Sequence, residues 1–198
     1  MIICDKDMIK PVKDLYTMNG AEWDDINLFG IGNDKGDNNW NDVLGMVTDD
    51  ILILSKGTTK PGIPATLKHK VGADHLPPGF YYHKWAVGWH GAKGKYYRHK
   101  AFIQGPRKID TVRDTNRNGQ IDPDDLMIND AEWWGINIHT VVGNPDHVGN
   151  WSWGCQVIAH SPTFKEMVKQ AEKSDQSLFS YLLMPLKSEN KFLYKMGI

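Results

Sequence analysis

Val43-Leu44-Gly45-Met46-Val47-Thr48-Asp49-Asp50-Ile51-Leu52-Ile53-Leu54 reads as a strand, a tight acidic turn and a second strand. Each apolar run is too short for a stable helix, and β-branched residues are frequent in both. Outward from this hairpin, Phe80-Tyr81-Tyr82-His83-Lys84-Trp85-Ala86-Val87-Gly88-Trp89 is aromatic strand material that follows Pro77-Pro78-Gly79. A Gly/Lys turn at 91–95 leads to Tyr96-Tyr97 and a further strand over His99–Gln104. Pro61-Gly62-Ile63-Pro64 is a break, and the Gly-, Asn- and Asp-rich residues 30–42 read as a loop. Short strands separated by turn residues predict a mainly β protein with a few helices (α+β), built as a β-sandwich or a barrel-like core.

Two helices are expected. Met8, Ile9, Val12, Leu15 and Tyr16 have roughly helical spacing over 5–18, with Pro11 interrupting or starting the helix. Ser161-Pro162-Thr163 predicts a helix from Phe164 to about Lys173, with Ser161 as N-cap and Pro162 at N1. Residues 178–198 are expected to return as strands. The 198 residues suit one domain, 1–198, with 1–42 as an N-terminal helical and loop extension. An apolar content of 40% with eight Trp is enough for a real core. A net charge of −1 gives no electrostatic case for nucleic acid. No stretch approaches the ~20 apolar residues of a membrane span.

Function is legible in one segment, Gly135-Ile136-Asn137-Ile138-His139-Thr140 … Trp151-Ser152-Trp153-Gly154-Cys155-Gln156-Val157-Ile158. A histidine at a strand end precedes a cysteine in a Ser-x-Gly-Cys turn, with fifteen residues between them. That is the minimum for thiol acyl transfer: a soft nucleophile and a base to take its proton. Gly154 permits a sharp turn, so that backbone amides converge on a developing oxyanion. Trp151 and Trp153 bracket the turn and suit a substrate wall as well as a core. The other cysteine, Cys4, is a bystander in this reading.

These residues resemble the L,D-transpeptidase (YkuD-like) family. Its signature is an Ile-His-Ser/Thr segment followed by Ser/Thr-His-Gly-Cys, and the match spans roughly residues 50 to 160. The resemblance implies an L,D-transpeptidase-type catalytic domain. Cys155 would be the nucleophile and His139 its base. The Thr140 carbonyl would orient the imidazole, and amides near Gly154 and Cys155 would form the oxyanion hole. Ser152, Trp153 and Trp151 are the expected substrate-binding residues. His75, His83 or His90 would line the cleft, since the strands before the motif flank the site in the family. Two positions depart from the pattern: Trp153 replaces a histidine, and Gln156-Val157 replaces Ile-Arg. The form is similar to a subgroup in phage lysis proteins (endolysins) and related bacterial proteins. It implies bacterial peptidoglycan as substrate and partner. Residues 1–20 show no secretory signal. The expected location is therefore the host cytoplasm, then the periplasm and wall after release.

A second pattern is Asp114-Thr115-Asn116-Arg117-Asn118-Gly119-Gln120-Ile121-Asp122-Pro123-Asp124-Asp125. Side-chain oxygens at positions 1, 3 and 5, a glycine at 6, an apolar residue at 8 and a carboxylate at 12 match an EF-hand-type calcium loop. Asp114, Asn116, Asn118, Gln120 (through its carbonyl) and Asp125 are the candidate ligands. Asp125 in place of Glu resembles dockerin-type loops, although only one copy is present. The expected cofactor is structural calcium, and no organic cofactor is expected.

Overall fold

The computed structural model describes residues 2–3, 6–33, 37–105, 107–131 and 135–197. In chain order the elements are β1 Ile2–Ile3, α1 Lys6–Met18, β2 Asn27–Gly32, β3 Asp42–Val47, β4 Leu52–Thr58, α2 Ile63–Lys68, β5 Asp74–His75 and β6 Gly79–His90. They continue with β7 His99–Gln104, β8 Ile109–Arg113, β9 Leu126–Ala131, β10 Ile138–Thr140, β11 Gln156–Ile158, α3 Ser161–Lys173, β12 Phe179–Pro185, a 3-10 turn over Ser188–Asn190 and α4 Lys191–Gly197.

Among the described residues, eight strands close into a barrel in the order β4-β11-β10-β7-β6-β12-β2-β3, with β3 pairing back onto β4. β1 adds to the outside of β4, and β5-β8-β9 form a separate three-stranded sheet. Closure removes the unpaired edges of the main sheet. Two staves run parallel to a neighbour, β10 to β11 and β12 to β2.

Alternation along the strands sorts the core into two faces. On β12, Phe179, Tyr181 and Leu183 join Trp85, Phe102 and Phe164 in one cluster. Leu182 and Met184 turn the other way, to meet Val12, Leu15 and Tyr16 of α1 and Leu193 of α4. Within the 1–42 segment, α1 thus covers one flank and β2 is a stave of the barrel.

The hairpin at 43–54 stands as read, with the turn between Val47 and Leu52. The loop expected over 30–42 is shorter, because Gly30–Gly32 finish β2; residues 34–36 lie outside the described residues. Gly30 and Gly32 look like loop residues, but they lie where Tyr181 and Thr59 press on the backbone and leave no room for a Cβ. The break at 61–64 opens α2, with Pro64 in its first turn. His160 is the N-cap of α3 in place of Ser161: its Nδ1 accepts from Thr163 N at 3.3 Å. The tail forms one strand and then a helix, because Leu193 is drawn into the core beside α1. Cys4 lies outside the described residues. Among the described residues no helix is long and apolar enough to cross a membrane.

Candidate active site

The parallel pairing of β10 with β11 positions the two candidate reactive groups. His139 is opposite Val157, and Ile138 is opposite Gln156. Cys155, one residue ahead of β11, therefore lies beside Asn137. Val141, Cys155 and Val157 make a small buried cluster covered by Trp40 and Trp151. Cys155 and His139 both line a cleft of about 630 Å³, walled also by His90, His99, Tyr97 and Trp153.

The imidazole has a defined orientation. His139 Nδ1 donates to Thr140 O at 2.9 Å, which places the ring proton on Nδ1 and leaves the Nε2 lone pair as the basic site. Thr140 is itself fixed: its hydroxyl donates to Ile158 O at 2.8 Å and its amide donates to His99 Nε2 at 3.3 Å. The thiol of Cys155 donates to Gly135 O at 3.3 Å, and the sulfur accepts Asn137 N–H at 3.4 Å.

Burial keeps both groups neutral at rest. It pushes the Cys155 thiol up to about 11, against a small opposing effect of the Asn137 amide. Burial and the neighbouring His90 push His139 down to about 3. The proton therefore stays on sulfur in the resting protein.

Gly154 is the pivot of the turn. Its φ is +130°, and a Cβ there would meet Asp74 O at 2.6 Å and Ile136 Cδ1 at 2.8 Å. Its amide donates to Ser152 Oγ at 3.3 Å. Ser152 is fully buried, and its hydroxyl also donates to Cys155 O at 2.7 Å. This corrects the expected role of Ser152: it braces the turn and is out of reach of a substrate. Trp151 packs over Cys155, whereas Trp153 is 45% exposed and stands edge-on to His69 at the cleft. Gln156 enters the barrel, where Tyr181 donates to its Oε1 at 2.9 Å. That interior partner accounts for a polar residue at this position.

Of the three histidines expected along the cleft, His90 lines it, and sequence reasoning missed His99 and Tyr97. His90 and His99 face each other across the β6–β7 hairpin, and His90 stacks on His139 with ring centroids 3.9 Å apart. The signal is a pair of histidines that flank the 91–98 turn, which is readable only once the hairpin register is known. His75 lies elsewhere, fully buried with Nε2 3.8 Å from Asp114 Oδ2, and His83 is beside Asp24.

The 114–125 loop is folded around its own side chains. Asp114 is buried and accepts Asn118 N at 3.1 Å and Gly119 N at 2.8 Å. Asp125 accepts Thr115 N at 2.9 Å and Asp122 N at 2.8 Å. Asn116 and Asn118 both donate to Asp122 Oδ2, at 2.8 and 2.6 Å, which makes Asp122 a member of the cluster that the spacing had not singled out. Gln120 donates its amide to Asn118 Oδ1 at 2.8 Å. Asp114 N donates to Ala73 O at 3.0 Å, and Arg113 is bidentate to Asp74 at 2.8 and 2.9 Å, so the loop is fastened to β5 behind Gly154.

The three cleft histidines give a stability prediction. Burial lowers His139 to about 3 and His90 to about 4, and it also lowers His99. The unfolded chain binds these protons near pH 6.5, so their contribution is full above that pH and is lost as pH falls toward the folded values. The melting temperature is expected to drop between pH 7 and pH 5, where carboxylates near 4 contribute little. His139→Gln should flatten that slope; an unchanged slope would contradict it.

Searches against protein-family models, curated proteins and solved structures find no match to this chain.

Proposed function

We propose that this chain is a cysteine-dependent peptidoglycan hydrolase of L,D-transpeptidase type, acting as an endolysin on the stem peptide. The observation that supports this reading is that Cys155 and an imidazole whose Nδ1–H is pinned to Thr140 O line one open cleft. His139 Nε2 takes the thiol proton as sulfur attacks an amide carbonyl next to diaminopimelate. The C–N bond then breaks, and His139 returns the proton to the leaving amine, giving a thioester. The Gly154 amide is engaged with Ser152, so the Cys155 amide is assigned as an oxyanion donor. Water, deprotonated by His139, resolves the thioester and releases the thiol. Trp153 favours this outcome: an indole has one donor and no proton to exchange near neutral pH, so it does not assist an amine acceptor.

Mass spectrometry of muropeptides from purified sacculi tests the reading. Shortened stems support it. New cross-links would establish a true L,D-transpeptidase in its place. Unchanged muropeptides with retained wall binding would leave a wall-binding or structural phage protein.

We further propose that the 114–125 loop holds calcium in a structural role. The reading is supported by the spacing of the loop and by side-chain oxygens of Asp114, Asn116, Asn118 and Asp125 that accept from the loop's own amides, with Asp122 bonded to Asn118. Asp at position 12 reaches less far than Glu, so binding weaker than in sensor EF-hands is expected. A ligand specific to the folded state stabilises it by about 2.7 kcal/mol at a hundredfold excess over Kd. Melting curves with calcium chloride and with chelator are expected to separate, and Asp114→Ala should abolish the difference. Coincident curves for the unmodified chain would reduce the loop to an Asx-rich turn.

A further inference from the structure

We propose that His90 is a positioning residue of the Cys155–His139 pair, its neutral ring serving as the platform on which the His139 imidazole lies. The inference rests on the acyl-transfer reading above for its kinetic arm, but its geometry is independent of substrate. The two rings are 3.9 Å apart and 12° from parallel. The His139 ring is held at Nδ1 by Thr140 O and has the Trp151 backbone as a further partner, and the flat His90 ring fixes its plane.

Asn137 fixes the platform. Its Oδ1 accepts Gln104 N–H at 2.9 Å, which turns the amide so that Nδ2 donates to His90 Nδ1 at 3.2 Å. His90 Nδ1 is then unprotonated, and the ring carries its proton on Nε2. The backbone N–H of the same asparagine holds the Cys155 sulfur. One residue thus sets the His90 plane and the thiol position together. His99 supports the other end. Its Nδ1–H donates to Tyr97 O at 2.7 Å and its Nε2 accepts from Thr140 N, the residue whose carbonyl orients His139.

The consequence appears when His139 takes the thiol proton. A neutral ring stacked on the imidazolium offers its π face to the cation, whereas a charged His90 repels it. The other titratable and charged groups facing the cluster are His99, Tyr97, Tyr96, His147 and Cys155 around the cleft, and Lys165 of α3 beside His99. None is a carboxylate, so flat neutral stacking is the means available to hold the ring. His90 thus brings a second imidazole into the cleft of Cys155 from a different strand.

Three variants in a Cys4→Ser background test this, each checked for a native melting transition. His90→Ala is expected to lower kcat on sacculi about ten- to hundredfold with KM little changed, the cost of a misplaced catalytic group. His90→Phe keeps the flat ring and should restore kcat to within a few-fold. His90→Lys should lower kcat further than His90→Ala. Iodoacetamide labelling of Cys155 supplies the arm that needs no substrate. His90→Ala should label several-fold more slowly than the unmodified chain, and His90→Phe should label like it. If sacculi are untouched by the unmodified protein, the hydrolase reading falls, and the labelling series alone decides the role of His90. His90→Phe as impaired as His90→Ala, or His90→Ala unimpaired in both assays, would overturn the proposal.

Discussion

Cys155→Ala is expected to abolish turnover, by 10⁴-fold or more on the scale of nucleophile removal, while the chain stays folded. The substitution deletes one sulfur from a cluster of only three buried residues, and it removes the weak bonds with Gly135 O and Asn137 N–H. A stability cost of about 1–2 kcal/mol covers the lost contacts and the unmatched amide. His139→Ala should cost about 10²–10⁴-fold, the usual size for a general base. The double variant should be no worse than Cys155→Ala, because the base has no proton to take once the thiol is gone. With the thiol up at about 11 and the imidazole down at about 3, no resting ion pair is formed. Activity on sacculi should therefore be flat with pH through neutrality. Residual turnover by Cys155→Ala, or an alkaline rise near pH 8 typical of a free thiol, would refute the assignment.

What the chain discloses before folding depends on how local each determinant is. The 43–54 hairpin, the 80–89 strand and the α3 helix declare themselves through period and turn residues within a dozen positions. That His139 and Cys155 meet in one cleft is legible because both lie in short strand-and-turn motifs close in sequence. Barrel closure is not written locally. It depends on the pairings β12–β2 and β11–β4, whose partners are far apart in sequence. Gly30, Gly32 and Gly45 read as loop or strand-breaking residues, yet they lie in strands because Tyr181, Thr59 and Phe29 occupy the space a side chain would need. The same non-locality hides His99 and leaves His90 as one of three candidates, because both reach His139 only through the β6–β7–β10 register. It also hides the burial of Ser152, whose small polar side chain reads equally well as a ligand contact or as a brace.

Gly154→Ala is expected to be nearly as damaging to activity as loss of the nucleophile, and to destabilise the fold by several kcal/mol. Two effects combine. At φ +130° any Cβ is strained. In addition, the new methyl would meet Asp74 O at 2.6 Å and Ile136 Cδ1 at 2.8 Å. The first of these is backbone and does not yield easily. Asp74 is clamped by two bonds from Arg113 and lies in the β5–β8 pairing, so the turn must move instead. Movement of Gly154 displaces Cys155 and its amide, and a shift of ~1 Å at a reacting centre costs about 10²-fold by itself. Gly94→Ala is the control. Gly94 also has a positive φ, +81°, but nothing lies within 4 Å of the added Cβ. It should cost only about 1–2 kcal/mol, from conformation alone, and leave activity intact. Denaturant melts and turnover below the transition of each variant measure both quantities. Equal destabilisation by the two substitutions would mean that the Asp74 contact yields without cost, and that β5 does not brace the nucleophile turn. A larger loss at Gly154, with the difference reduced by Arg113→Ala, would show that the Asp74 clamp is what makes the turn rigid.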